Sequence, residues 1–138
     1  MTFLRKFYHN QSGAVAVEFV FIAPILFALV LGIISLGYFI GVSHSVHQLA
    51  AGAARASVVG LNAAERSSLA AAYLSEGHTR YPLLGAETLT SAFTFEDVDS
   101  GAITVTVAYN IEGTLLDVAN SFLNFEVTTI NGDAYLAY

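Results

Sequence analysis

The chain has 138 residues, of which 55% are hydrophobic and 12% are charged, and it carries a formal net charge of −6. Such an apolar chain is not intrinsically disordered, and its charged fraction is about half that of a typical soluble domain, which argues against a soluble enzyme. The absence of cysteine excludes disulfides, thiol catalysis and thiolate metal sites. The negative charge argues against nucleic acid as a partner.

A long apolar stretch follows a short basic segment. Residues 1–13 contain Arg5 and Lys6 and no acid, whereas Glu18 is the only charged residue in 14–42. About 20 apolar residues in a helix span a bilayer, so we predict a transmembrane helix over 14–42. The positive-inside rule places the basic segment in the cytoplasm and the chain after the helix outside.

A long apolar stretch near the N-terminus has two simpler interpretations. A cleaved secretory signal has an apolar region of only about 7–15 residues and a small-residue cleavage site. The run in 14–42 is longer, and no Ala-x-Ala site ends it cleanly. The other alternative is a generic single-span protein with one acid near the inner end of its helix.

The start of the apolar run has a distinctive order of residues. The basic leader is followed by Gly13, then by AVAV at residues 14–17, and then by Glu18 and Phe19. This order resembles a class III (type IV pilin-like) signal, in which a prepilin peptidase cuts after the glycine. The resemblance makes 1–13 a leader and Ala14 the new N-terminus. A glycine at the cut has no side chain to obstruct the peptidase.

The pattern continues along the helix. Phe19 is followed by VFIA and Pro24, and QLAAGAARA closes the helix at residues 48–56. With the strand-like ITVTVAY at 103–109, these residues resemble the TadE-like minor pseudopilins of tight-adherence (Flp) pilus systems. The resemblance implies a structural or assembly component of a Flp (type IVb-like) pilus in the inner membrane. It implies as partners a prepilin peptidase, other pilins or pseudopilins, and the assembly machinery with its ATPase.

The placement of Glu18 is energetically costly. An acidic side chain costs about 2.5–3.5 kcal/mol at the centre of a membrane helix, and less near the helix start, where the dipole favours an anion. Cleavage would create an α-ammonium on Ala14, one helical turn away, which could pair with Glu18 of the same chain or of a neighbour. We therefore predict an assembly or recognition site at Glu18 and Phe19. The alternative is an acid at the headgroup level without a role.

Two other features of the helix have open interpretations. Pro24 predicts a kink, which either helps the subunit fit among others or is harmless. Gly37, Gly41 and Ser45 form a face of small residues, four apart, which can let two membrane helices approach closely. We predict this face as a candidate helix contact.

The remainder, 43–138, is predicted as an α+β domain into which the helix extends. Small or apolar residues recur at 46, 49, 53 and 56, so the helix should continue to about Val59 and end at Gly60. The small residues at 50–56 indicate tight packing, either against another subunit or against the chain's own domain.

Capping and alternation patterns predict the later elements. Asn62 and Glu65 form a capping box at the start of a second helix, and Gly77 should stop that helix. The second helix should have an apolar side at Leu69, Tyr73 and Leu74, and an irregular link should follow from Tyr81-Pro82. The next expected features are alternation at Phe93 and Phe95, a turn at 97–101 and a strand at 103–109. The last are a helix capped by Thr114 and Asp117 and ending at Leu123, a strand at 125–130, and an Asn131-Gly132 hairpin returning through 135–138. The expected fold is therefore a transmembrane helix with a second helix and a small antiparallel sheet.

No catalytic or cofactor-binding constellation is recognisable. His44 and His47 lack a nearby acid, the cluster of Glu96, Asp97 and Asp99 is typical of a solvated turn, and a phosphate-binding loop is absent. We expect neither an enzyme nor a metal or cofactor site. The leading interpretation is the TadE-like pseudopilin. The alternative is an uncleaved single-span protein whose outer domain binds or regulates a partner.

Overall fold

The structure is a computed structural model that describes residues 12–85, 89–90, 102–123 and 126–137. Within these ranges the chain forms helices and strands in a mixed order. They are α1 (Ser12–Ser57), α2 (Ala63–Ser75), α3 (Gly77–Arg80), β1 (Leu89–Thr90), β2 (Ala102–Asn110), α4 (Leu115–Leu123) and β3 (Thr129–Ala137). The predicted α+β class, with a long N-terminal helix, a second helix and a small antiparallel sheet, is confirmed.

Helix α1 is continuous from Ser12 to Ser57 and passes through Pro24. It therefore ends close to the predicted Val59. Among the described residues it is the one helix that is long and apolar enough to cross a membrane, and its most apolar part is not buried by the rest of the chain. Contacts divide the chain into two compact units, one ending at Ile34 and the other covering Ser35–Tyr138.

The core of the second unit lies between the C-terminal part of α1 and the sheet. Val42, Val46 and Leu49 recur at spacings of four and three, which places them on one side of α1, and none has exposed surface. They share a cluster with Val105 and Val107 of β2. The other buried members of this cluster are Ala50, Ala53, Ala54, Ala70, Leu74, Leu84, Ile103, Tyr109, Ile111, Leu116 and Ile130.

The sheet is antiparallel, with β2 in the centre and β1 and β3 on either side. In β2 the apolar side chains at 103, 105, 107 and 109 are buried, while the intervening residues are half-buried. The predicted half-buried strand is therefore confirmed. The register pairs Ala102 with Ala137 and Asn110 with Thr129.

The predicted hairpin at Asn131-Gly132 is wrong. Both residues lie inside β3, where they pair with Ala108 and Val107 of β2. Gly132 is needed for packing instead, because a Cβ on it would lie 2.8 Å from Cγ1 of Val46. The strand predicted at 125–130 begins at Thr129 and continues through the supposed turn.

The predicted start of α2 is confirmed. The Asn62 side-chain oxygen accepts a hydrogen bond from the Glu65 backbone N–H at 2.9 Å, and the Glu65 carboxylate accepts one from the Leu61 N–H at 2.9 Å. At the other end, α2 stops at Ser75, and Gly77 opens the single turn α3. Of the predicted apolar side, Leu74 is buried, and Leu69 and Tyr73 are half-buried.

The helix predicted after Thr114 is also confirmed. The Thr114 hydroxyl oxygen accepts from the Leu116 N–H at 3.3 Å, and the Asp117 carboxylate accepts from the Gly113 N–H at 3.1 Å. Together they begin α4, which runs to Leu123. The predicted leader as far as Gln11, the Phe93 and Phe95 alternation, the turn at 97–101 and Phe125 lie outside the described residues.

Candidate processing and assembly site

The predicted processing site lies at the start of α1. Gly13 and Ala14 are in the first turn of the helix, and both are exposed. A Cβ placed on Gly13 would meet no described atom within 4 Å outside its own helix backbone. Within the described part of the chain, nothing covers the backbone at this position.

Glu18 lies one helical turn after Ala14. Residues four apart share one face of an α-helix, with Cβ atoms about 5–6 Å apart. The Glu18 side chain is exposed, and it makes no hydrogen bond or ion pair with another described residue. The helix therefore brings the candidate cleavage site and the candidate carboxylate together on one face, and no described residue pairs with the carboxylate.

Phe19 is part of a fully apolar surface. Its side chain is 65% exposed, and the aromatic and aliphatic residues that follow it to Ile34 are almost all exposed as well. A helix that is apolar on every side needs lipid or protein around it. Phe19 thus lies on a surface that the described part of this chain does not bury.

The candidate helix-contact face is open at Gly37 but covered at Gly41. A Cβ on Gly37 would meet no atom within 4 Å, but one on Gly41 would lie 3.1 Å from Cδ1 of Leu83. Ser45 donates its hydroxyl hydrogen to the Gly41 carbonyl oxygen at 2.8 Å, within α1 itself. Leu83 of the same chain therefore occupies part of this face, and contact with another helix stays a prediction centred on Gly37.

The two histidines of α1 have local partners. His47 Nδ1 lies 2.8 Å from the Ser43 carbonyl oxygen, and the Gln48 amide nitrogen lies 2.6 Å from Nε2 of His44. In the described ranges there is no group of three or more His, Asp or Glu side chains that could hold a metal ion. Glu96, Asp97 and Asp99 lie outside these ranges.

The small residues at 50–56 pack against their own domain. A Cβ on Gly52 would lie 2.6 Å from Cε1 of Tyr73, a residue of α2. The Tyr73 ring is in turn covered by the Arg80 guanidinium, 4.3 Å from its centroid. Of the two alternatives left open by the sequence, packing within the chain accounts for Gly52.

Helix α4 has a feature that its sequence does not predict. Helix α4 leaves Leu115, Val118 and Phe122 exposed on one side while Leu116 is buried. The spacing of three and four is readable in the sequence, but an apolar face on a short helix predicts burial in the chain's own core.

One apolar N-terminal helix followed by a small α+β unit fits a single-pass membrane protein. The family model of TadE-like proteins matches residues 13–55. This segment is less than half of the chain, but it contains the candidate cleavage site, Glu18, Phe19 and the small-residue face. The match confirms the resemblance on which the sequence interpretation rests. Comparisons with curated proteins and with solved structures give no match.

Proposed function

We propose that the protein is a TadE-like minor pseudopilin, a non-catalytic structural and assembly component of a Flp pilus. A prepilin peptidase removes residues 1–13, and 14–42 anchor the mature chain in the inner membrane. The domain at 43–138 lies outside the cytoplasm. Other pilins or pseudopilins and the pilus assembly machinery are the partners.

The match of the family model to residues 13–55 is the observation that carries this proposal. The match starts at Gly13, the residue after which the leader would be cut. The exposed Glu18, one turn from Ala14, supports the same interpretation, because a plain lipid anchor has no need of an acid there.

The proposed role of Glu18 follows from charge pairing. Cleavage after Gly13 would give Ala14 a positively charged α-amino group. In the low-dielectric contact between two neighbouring subunits, the α-amino group of one subunit and the Glu18 carboxylate of the other attract each other. Removing one partner of a desolvated pair costs about 3–5 kcal/mol, because the other charge is left unpaired. Exposure to headgroups and water reduces this value.

Cleavage is tested first. In a host with a matching prepilin peptidase, the intact mass of the purified protein should correspond to residues 14–138. Gly13→Leu should block processing by crowding the scissile backbone. Gly32→Leu is the matched control, since a Cβ on Gly32 also meets no atom within 4 Å. An unprocessed wild-type protein in a piliated host would overturn the pseudopilin proposal.

Assembly is tested with Glu18→Gln, which removes the charge and nearly keeps the shape. We expect normal insertion and cleavage but loss of piliation in a complementation assay. Glu18→Asp keeps the charge and serves as the control, with piliation at least partly retained. Full piliation by Glu18→Gln at wild-type protein level would exclude an assembly role for this carboxylate.

The alternative is an uncleaved single-span protein whose outer domain binds or regulates a partner. Val59 and Leu61, between α1 and α2, are strongly exposed apolar residues in the second unit and favour some binding role. A mature N-terminus at Met1 or Thr2 in a piliated host would favour this alternative.

A further inference from the structure

Helix α4 has an apolar face that the described part of the chain does not cover. Leu115, Val118 and Phe122 are 61%, 58% and 79% exposed, and their spacing places them on one side of the helix. Leu116 is only 8% exposed and anchors the opposite side in the core. The apolar face is therefore presented outward by a helix that is itself fixed to the domain.

The position of α4 follows from the strand connection. It lies between the end of β2 and the start of β3, and the Ile111 N–H donates to the Thr128 carbonyl oxygen at 3.2 Å. The chain thus leaves and re-enters the sheet at the same end. The Asn120 side-chain amide donates to the Val127 carbonyl oxygen at 3.2 Å and ties α4 to this end.

This end of the sheet lies beside the outer end of the predicted membrane span. Gly132, which pairs with Val107 of β2, contacts Val46 of α1. Two residues further along β2, the Tyr109 side chain interacts with that of Tyr38, eight residues earlier in α1. Strand β2 therefore runs towards residues 35–42 of α1, where the apolar stretch ends, and α4 follows directly.

Two more exposed apolar residues lie at the same end. Leu83 contacts the Gly41 position of α1, and its carbonyl oxygen lies 3.5 Å from the Tyr38 hydroxyl. Val127 precedes β3 and is likewise partly exposed. Helix α4 contains no Lys or Arg, so its apolar face, and not attraction to anionic lipid, is the feature available for binding.

We propose that α4 is an interfacial helix that inserts Leu115, Val118 and Phe122 into the outer surface of the bilayer spanned by α1. Helix α4 follows the end of β2 that lies beside residues 35–42 of α1, and this position next to the end of the predicted span favours lipid over a separate protein partner. Amphipathic helices bind the membrane interface through such a face. This contact would hold the outer domain at the bilayer surface. The inference rests on the membrane anchoring in the proposed function and is independent of cleavage and pilus assembly.

The cysteine-free chain allows a direct test. The full chain is reconstituted in phosphatidylcholine vesicles with a nitroxide spin label on a single introduced cysteine, Phe122→Cys or Leu115→Cys. Collision with oxygen, which concentrates in lipid, is compared with collision with a water-soluble nickel chelate. Ser121→Cys is the matched control on the polar flank of α4. Ile33→Cys in the apolar stretch and Leu61→Cys at an exposed loop calibrate lipid and water.

Because the proposed helix lies at the interface, we expect labels at 122 and 115 to have oxygen-to-nickel ratios several-fold above that at 61 and below that at 33, with 121 clearly lower than 122. A water-like ratio at 122 would overturn the inference. Shielding of 122 from both reagents would also overturn it, because a protein would then occupy the face. A lipid-like ratio at 33 with a water-like ratio at 122 leaves the anchor intact, whereas a water-like ratio at 33 would overturn the anchoring as well.

Discussion

Gly132 lies at a close approach between α1 and the sheet. A Cβ at this position would lie 2.8 Å from Cγ1 of Val46 and 2.9 Å from the His47 backbone nitrogen. The second atom belongs to the helix backbone, which cannot move aside as a side chain can. Glycine in the interior of a strand normally weakens it, and a close approach of another backbone is a known reason for its presence.

We therefore expect Gly132→Ala to destabilise the second unit by about 1–3 kcal/mol, the usual cost of overpacking a core. Hydrogen exchange of the β2 and β3 amides, measured on the full chain in detergent micelles, should be correspondingly faster. Asn131→Ala, at the exposed neighbouring position, is the control and should change stability by less than about 0.5 kcal/mol. Unchanged protection in Gly132→Ala would contradict the close approach.

Residue patterns predict what is encoded locally and miss what depends on distant partners. Asn-Gly favours a tight turn in an isolated segment. Here, however, Gly132 allows β3 to pack closely against Val46, which is far away in sequence. The order Gly13, residues 14–17, Glu18 and Phe19 is contiguous, so the candidate processing site was predictable. The contact between Leu83 and Gly41 was not, because it depends on the fold of the link after α3.

At the scale of elements, Gly52 of α1 packs directly against the aromatic ring of Tyr73 in α2. The Cβ of an alanine at 52 would lie 2.6 Å from both Cε1 and Cζ of Tyr73. Unlike the obstacle at Gly132, this one is a side chain, so it can shift, although the Arg80 guanidinium lies over the ring. The helix pair is therefore sensitive to residue size at 52, but less so than the contact between helix and sheet.

A double-mutant cycle tests this contact. Gly52→Ala alone should destabilise the second unit by about 1 kcal/mol. The steric clash between the new Cβ and the Tyr73 ring costs more than is gained from the higher helix propensity of alanine. In a Tyr73→Ala background the clash is absent, so the same change should stabilise by about 0.5–1 kcal/mol, the usual advantage of Ala over Gly in a helix. The measurement is urea unfolding of the full chain in micelles. Additive effects, with no change of sign, would mean that the two residues are not in contact.

The elements differ in how much their own sequence determines. The starts of α2 and α4 were predictable, because Asn62 with Glu65 and Thr114 with Asp117 satisfy N–H groups within a few residues. The end of α2 was less so: Gly77 permits a stop, yet the chain continues as α3. The exposure of the α4 apolar face was not predictable, because periodicity identifies a face but not its partner.

At the scale of the whole molecule, the two units have different requirements. The described part of the first unit belongs to an apolar helix whose side chains are almost all exposed, whereas the second unit has a core of its own. The charges are also unevenly distributed along the chain. Arg5 and Lys6 precede the apolar stretch, while every acid of the chain lies from Glu18 onward. Because cytoplasmic segments next to a span favour Lys and Arg, this distribution predicts one orientation.

The orientation is tested with a reporter that is active only outside the cytoplasm. Fused after Tyr138, it should be active, because the basic residues at 5 and 6 hold the leader inside while 14–42 cross the membrane. The same reporter fused after Gly13 lacks the span and should be inactive. Changing Arg5 and Lys6 to Glu should lower the activity of the full-length fusion by weakening the retention signal. A full-length fusion that accumulates in the membrane but is inactive would place the α+β domain in the cytoplasm, where neither the pseudopilin nor an outer binding domain could function.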